Sequence, residues 1–332
     1  MTFSRVSPGF PAGFATALVV AGLFACFLVV DQMHWWQLKP DYAFGWLVPL
    51  FVGYIVYERW SKIRSAVCSG GGSPLTGYWK IAVPAMAGTV LAGGLFVFLL
   101  GAAYRAGSGI SQPGSLALAL GFGGVLLGVI YFNTPAGRLE EATTATGWRA
   151  VWADARVRSA SLFLFPACIW IVSAPLVTAV ENALSLFLLN KVVTVVFFAF
   201  GLLGYPLVQQ GNVLILPLGQ VGVADACSGI RSLTACLFAG SFLAAVFLDR
   251  FWKKCMLVGL AVVFAFLTNL LRSLFLAGWA YAYGSDAIEG TLHDATGFAV
   301  LGLTSLGLFA LLPLFNPANW RRWFGVEDEV AL

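Results

Sequence analysis

Long apolar runs separated by short polar segments extend along the chain from residue 10 to residue 315. A helix needs about 20 mostly apolar residues to cross the hydrocarbon core of a bilayer. Eight runs predict such helices, at 10–30, 43–58, 81–103, 115–132, 160–179, 229–248, 255–276 and 294–315. A ninth run, 183–204, is interrupted by Asn190 and Lys191, and we expect it to lie in the membrane interface. The pattern predicts an all-α polytopic membrane protein with about eight transmembrane helices and one interfacial helix.

A short β-prone stretch lies between the ninth run and the sixth predicted span. Residues 213–216 read Val-Leu-Ile-Leu and follow the turn signal Gln210-Gly211-Asn212. They predict a short outer β-hairpin, with Pro217 keeping the segment irregular. We expect a single integral-membrane domain over residues 1–332. It is expected to contain four spans at 10–132, a second half at 160–315 with an outer segment at 180–226, and a cytoplasmic tail at 316–332.

The composition excludes a soluble protein, because 60% of the residues are hydrophobic and only 10% are charged. Soluble domains carry about 25% charged residues.

No basic cluster exceeds a short loop group, so we expect no nucleic-acid partner. We expect no metal, because the two histidines are far apart, and no cofactor, because glycines 70–72 lack the Lys-Ser/Thr context of a phosphate loop. Only Arg5 precedes the first apolar run, and no small-x-small cleavage site follows it, so we expect a retained span.

Lysine and arginine residues orient the predicted helices. With the N-terminus inside, fourteen of them fall in inner segments, and three, Lys39, Arg105 and Lys191, fall in outer segments. Cytoplasmic loops of membrane proteins carry such an excess of positive charge. The bias holds only if run 183–204 does not cross the membrane, and it then predicts that both termini are cytoplasmic.

Three polar residues from separate segments are predicted to reach one depth of the membrane. Asp225, Cys227, Ser228 and Arg231 stand together at the outer head of the sixth span. Arg272 lies about 25 Å along the seventh span, at about 1.5 Å per residue, and therefore near the outer surface. His293 opens the eighth span on the same side. A second Cys-Ser-Gly, beginning at Cys68, lies in a predicted inner Gly/Ser-rich loop.

These residue types suit chemistry at a thiol. A helix N-terminus favours the thiolate of Cys227, and Arg231, one turn later, adds positive charge. His293 is a candidate proton carrier, and Arg272 is a candidate to hold an oxyanion or a substrate carboxylate. Asn269 shares the face of Arg272 and is a candidate to orient the guanidinium or to donate to the same oxygen. Asp225 and Ser228 are further candidates for a supporting or substrate-binding role.

A structural interpretation stays open for the same residues. An arginine near a helix end often extends to the interface, and a histidine at a span boundary is often structural. Cys26, Cys168 and Cys236 lie inside apolar runs and are expected to act as small hydrophobic residues. Spacing alone therefore leaves a catalytic and a structural interpretation equally open.

Three motifs resemble those of the exosortase/archaeosortase family of prokaryotic membrane cysteine transpeptidases. They are "ACSGIRS" opening the sixth span, "NLLR" late in the seventh, and "HDATG" opening the eighth. The upstream segments "PDYAFGWLVPLF" and "LPLGQVGVADACSGIRSL" extend the resemblance over residues 41–315. Where many family members have a histidine before the glycine of the early motif, this chain has Phe44, so that segment is given no chemistry.

The resemblance implies that Cys227 is the nucleophile, that Arg272 is the essential arginine and that His293 is the family's histidine. It also implies a multi-pass protein of the prokaryotic cell (inner) membrane with its active site on the outer face. Its substrates would be secreted proteins that end in a short Pro-containing signal, one span and a basic tail. The protein would be held as a thioester and then transferred to an acceptor lipid or glycan component of the cell surface.

Three other functions are considered. An intramembrane cysteine protease would use the same residues and hydrolyse the same bond, and the sequence does not separate the two. A non-enzymatic transporter should show midplane charges, broken helices and internal repeats, whereas here Arg231 and Arg272 lie toward one end of their spans and no internal repeat is found. A lipid acyltransferase with a covalent cysteine would place its site at the inner leaflet, against the charge bias.

Overall fold

The computed structural model describes residues 10–68, 75–136, 147–222, 230–288 and 290–315, with only the backbone of residues 230 and 231. Eleven α-helices and one small sheet are present in these ranges. The α-helices are α1 (Ala12–Leu38), α2 (Val48–Glu58), α3 (Trp60–Cys68), α4 (Trp79–Ser108), α5 (Gln112–Asn133), α6 (Trp148–Ala153), α7 (Ala155–Ser173), α8 (Thr178–Leu202), α9 (Ile230–Phe247), α10 (Phe251–Tyr283) and α11 (Thr291–Phe315). Two 3₁₀ helices occupy Pro40–Leu47 and Ser285–Ile288. The predicted all-α polytopic membrane class is confirmed.

Seven of the described helices are long and apolar enough to cross a membrane, namely α1, α4, α5, α7, α8, α10 and α11. In α9 the apolar part, Ser232–Phe247, is shorter. The run at 43–58 differs from its prediction, because it begins as a 3₁₀ helix and continues as α2, which has 11 residues. Pro49 near the start of α2 lacks a backbone N–H and favours a new helix start there. Alone, α2 rises only about 16 Å, against about 30 Å of hydrocarbon core.

Helix α8 runs without a break through Asn190 and Lys191, where the sequence predicted an interruption. The Lys191 ammonium lies 5.7 Å from the centroid of the Phe187 ring, one turn earlier, so the charge has an aromatic partner on its own helix. The Thr194 hydroxyl donates to the Asn190 carbonyl at 2.7 Å. The predicted break is wrong, because two polar residues cost little helix propensity beside long apolar neighbours. The interfacial position of this helix stays a prediction.

Three short antiparallel strands follow α8, namely β1 (Val208–Gln210), β2 (Val213–Leu216) and β3 (Gly219–Gly222). The β1–β2 turn lies at Gly211-Asn212, and Gly211 has φ +61°, which glycine adopts at no steric cost. This confirms the predicted hairpin, and β3 extends it. The expectation that Pro217 keeps the segment irregular is wrong. Pro217 lies in the β2–β3 turn, where no ladder N–H is required.

The chain divides into two compact units. The first unit contains residues 1–39 and 43–176, and the second contains residues 40–42 and 177–332. Helix α7 packs against α5 in the first unit, although the sequence grouped it with the second half. The boundary therefore falls after α7 and not before it.

Glycines bring α4 and α5 of the first unit into backbone contact. A Cβ added at Gly94 would lie 2.7 Å from the Gly124 Cα, and one added at Gly121 would meet the backbone of Phe98. Small residues are favoured at such interfaces because helix association in a bilayer depends on close van der Waals packing. These glycines explain why α4 and α5 form the tightest helix pair of this unit.

A buried polar network joins four helices of the first unit. Arg105 of α4 forms an ion pair with Asp31 of α1, whose side chain is 1% exposed. The Trp35 indole donates to the Ser115 hydroxyl of α5 at 2.8 Å, and the Ser173 hydroxyl of α7 donates to the Gln32 amide oxygen at 2.6 Å. Because these hydrogen bonds and the ion pair join α1 to three other helices, they fix α1 against α4, α5 and α7.

Removing one member of the Asp31–Arg105 pair is expected to destabilise the first unit strongly. Arg105→Ala leaves the Asp31 carboxylate buried without its counter-charge, at a cost of about 3 kcal/mol. The double variant Asp31→Leu/Arg105→Met removes both charges at similar volume and should recover most of the loss. Unfolding of the purified protein in detergent measures the stability of both variants. Equal losses of stability in the single and the double variant would contradict this account.

The core of the second unit packs α8, β2 and β3 against the last turns of α10. Its buried side chains include those of Val192, Val196, Leu214, Val221, Leu276 and Ala280. Ile288 of the second 3₁₀ helix joins them. Helices α9, α10 and α11 also pack pairwise against one another. This packing fixes the end of β3 and the start of α9, between which residues 223–229 run.

Candidate active site

Arg272 of α10 is bound to the first turns of α11. Its Nη2 donates to the backbone carbonyl of His293 at 3.1 Å, and its Nε donates to the Thr296 hydroxyl at 3.2 Å. The Thr296 hydroxyl in turn donates to the His293 carbonyl at 2.9 Å. The structure therefore brings together two residues that the sequence placed at one membrane depth.

The antiparallel packing of α10 and α11 holds this contact in register. The hydroxyls of Thr268 and Thr304 lie 2.8 Å apart in the buried interface, two turns further along α11 from Thr296. At the far end of the pair, the Lys253 ammonium donates to the Phe315 carbonyl. Polar contacts therefore join the two helices at three levels along their length.

His293 is the third residue of α11, and its side chain is 33% exposed. Its Nδ1 lies 3.7 Å from the Asp294 carboxylate, which is 72% exposed. The partial exposure leaves the imidazole accessible to a substrate.

Asn269 is buried, with 3% exposure, and makes no hydrogen bond to Arg272. Its side-chain oxygen has no partner in the part of the chain that the structure describes, while its backbone carbonyl accepts from the Ser273 hydroxyl at 2.9 Å. The expectation that Asn269 orients the guanidinium is therefore not met, and Thr296 orients it instead. A threonine three residues after His293 on one helical face was the signal available in the sequence.

Cys227, Asp225 and Ser228 lie in residues 223–229, outside the described residues, and Arg231 is described by its backbone alone. The elements on either side are described. Strand β3 ends at Gly222 and α9 begins at Ile230, and both elements pack against α10, the helix that carries Arg272. The roles assigned to these four residues stay predictions.

The early motif contributes a contact that the sequence did not suggest. The Thr234 hydroxyl, in the second turn of α9, donates to the backbone carbonyl of Asp41 at 2.8 Å. Tyr42, the next residue, is fully buried. Residues 40–42, although distant in sequence, therefore pack as part of the second unit and support the beginning of α9.

No group of three or more His, Cys, Asp or Glu side chains that could hold a metal ion occurs within the described ranges.

The fold and the site define a polytopic membrane protein in which an arginine of one apolar helix is hydrogen-bonded to the head of the next. The family model described as "Transmembrane exosortase" matches residues 35–310. The match covers most of the chain, and the chain belongs to this family, which confirms the resemblance found in its motifs. No curated protein and no solved structure shows significant similarity to it.

Proposed function

We propose that this exosortase-family protein is a cysteine-type transpeptidase that cleaves a C-terminal sorting signal from secreted proteins. The observation that supports it best is the pair of hydrogen bonds from Arg272 to His293 and Thr296, in a chain that belongs to this family. They bind the guanidinium to the backbone of His293, whose imidazole is partly exposed, and this supports a role for both residues in acyl transfer. The nucleophile of the proposal is Cys227.

The reaction proceeds in two acyl-transfer steps. The Cys227 thiolate attacks the carbonyl carbon of the scissile peptide, and Arg272 stabilises the oxyanion that forms. The C–N bond then breaks, and the leaving amine takes a proton from His293. The secreted protein remains as a thioester on Cys227. In the second step His293 accepts the proton of an acceptor nucleophile, which attacks the thioester and releases the Cys227 thiolate.

The proposed substrates carry a short Pro-containing signal, one span and a basic tail. The charge bias of the loops supports a site at the outer face, and the same rule keeps the basic tail of the substrate inside. The enzyme would thus act in the prokaryotic cell membrane, and the acceptor would be a lipid or glycan component of the cell surface.

Capture of the thioester tests the proposal directly. The enzyme is incubated in membranes with a reporter protein that carries a Pro-containing signal, a span and a basic tail, in the presence of hydroxylamine. Hydroxylamine attacks the thioester and releases the reporter with a C-terminal hydroxamate. Mass spectrometry of the released reporter detects this group. We expect the hydroxamate with the wild type and none with Cys227→Ala. Release of the same reporter by Cys227→Ala would refute the cysteine mechanism.

The second candidate function, hydrolysis of the same bond, makes a different product in the absence of hydroxylamine. A protease would release the reporter with a free C-terminal carboxylate, whereas a transpeptidase would release or retain it joined to the acceptor. The mass of the C-terminal peptide distinguishes the two reactions. The shared thioester means that only the second step differs.

Removal of the imidazole is expected to slow the reaction without abolishing it. Proton transfer by a positioned group contributes about 10²–10⁴-fold, so His293→Ala should reduce reporter cleavage by that factor. Asp294→Asn is the matched control, because Asp294 is largely exposed and is given no proton to carry. The measurement is the initial rate of cleavage. A wild-type rate in His293→Ala would show that this histidine carries no proton in the reaction and is structural.

A further inference from the structure

We propose that Thr296 is a positioning residue for Arg272, and that it directs the free edge of the guanidinium at the oxyanion of the reaction. This inference rests on the proposed function and adds to it a residue without an assigned role. It is carried by the hydrogen bonds between α10 and α11, all of which lie within the described part of the second unit.

The contacts of Arg272 use one edge of its planar guanidinium. Nε and Nη2 lie on the same edge, and they donate to Thr296 and to the His293 carbonyl. The opposite edge is formed by Nη1 and the second N–H of Nη2, and Nη1 makes no hydrogen bond to any side chain or carbonyl in the described ranges. Two parallel N–H groups in this geometry fit one negatively charged oxygen or a carboxylate.

The Thr296 hydroxyl performs two functions at once. By donating to the carbonyl three residues earlier in its own helix, it fixes its rotamer. Its lone pair then faces Arg272 and accepts from Nε. A valine would keep the branched shape and would leave the Nε–H of a partly buried cation without its acceptor, so the guanidinium would turn.

Gly297 provides the surface on which the guanidinium lies. A Cβ added at Gly297 would be 3.8 Å from Arg272 Nη2, which is an ordinary van der Waals distance. Alanine should therefore fit at this position, whereas the branched end of a leucine would enter the space of the guanidinium. This gives a second way to move Arg272 that leaves Thr296 intact.

The experiment measures kcat and KM for the sorting-signal reporter with the full-length protein in proteoliposomes. Thr296→Val should lower kcat by about 10–100-fold with little change in KM, because an oxyanion exists only after the attack and a small misplacement of its donor is costly. Thr296→Ser keeps the hydroxyl and should retain kcat within about threefold. Gly297→Leu should reproduce the loss in kcat, and Gly297→Ala should not.

Thr304→Val is the control for structure, because it removes a buried hydroxyl of the same helix that is bonded to Thr268. It should lower the thermal stability and leave kcat near the wild-type value. Unchanged kcat in both Thr296→Val and Gly297→Leu would overturn the proposal, as would a rise in KM at constant kcat. If either outcome is found while Cys227→Ala is inactive, the positioning role of Thr296 is rejected and the proposed function stands. Cleavage by Cys227→Ala would instead refute the proposed function.

Discussion

Cys227→Ala is expected to abolish cleavage of the sorting signal, because no thioester can form without the thiol. Cys227→Ser should lose nearly all activity, since a hydroxyl is far less ionised than a thiol near neutral pH and cannot use the helix N-terminus in the same way. Cleavage is measured by the change in size of the reporter after expression in membranes. The effect should reach the detection limit of the assay, which is the largest change expected for any residue of the chain.

Cys68 offers a control with the same three-letter context, Cys-Ser-Gly. The sequence predicted that Cys68 lies in a loop, but the structure describes it as a residue of α3. Cys227 is expected to lie at a helix N-terminus, near Arg231, Arg272 and His293, whereas no histidine is expected near Cys68. Cys68→Ser should therefore process the reporter normally.

Labelling of the two cysteines tests the predicted sidedness. In right-side-out vesicles, an impermeant maleimide should modify Cys227 and inactivate the enzyme, and it should reach Cys68 only after permeabilisation. The opposite pattern, with Cys68 labelled from outside, would contradict both the topology and an outer active site.

Arg272→Lys is expected to lower kcat by more than about 10²-fold, which is the usual cost of removing one donor from an oxyanion site. The guanidinium makes two hydrogen bonds to α11 and keeps a third donor, Nη1, in the same plane. The lysine ammonium retains the charge but is a single centre, so it cannot bind α11 and also present a pair of donors.

The same variant should still insert and fold, because the charge and most of the side-chain stem are retained. Arg231→Lys is the comparison, and it should be milder, since Arg231 is proposed to act through its electrostatic field on the thiolate. Normal cleavage by Arg272→Lys would show that charge alone is sufficient and would exclude a directed contact.

The sequence predicted that Arg272 and His293 lie close together, which the structure shows, but it did not predict the rotation of their helices. Depth follows from a rise of about 1.5 Å per residue, and the apolar runs therefore placed Arg272 and His293 at one level. Which side chains touch depends on the rotation of α10 and α11 about their axes, which depth does not determine. Thr296 was missed for that reason. Asn269 makes no hydrogen bond to Arg272, and its alternative role as a donor to the same substrate oxygen stays a prediction.

The predicted helix boundaries were wrong where the preference of one or two residues opposed that of the surrounding sequence. Asn190 and Lys191 were given too much weight, because the apolar residues on both sides and the Phe187 ring maintain the helix. Pro49 was given too little weight, since it begins α2 within a run that read as one span. The hairpin turn was predicted correctly because Gly211-Asn212 is a local signal that does not depend on distant residues.

Residues 40–42 belong to the second unit, and this limits how the chain can be divided. The second unit takes these three residues from a segment whose neighbours on both sides belong to the first. A protein made only from residues 177–332 would lack Tyr42, and the Thr234 hydroxyl would lose its acceptor on Asp41. If the gene were split after residue 176, the two resulting polypeptides would therefore differ in whether they can fold alone. The shorter one would depend on co-expression with the longer, which alone carries the missing piece of its core.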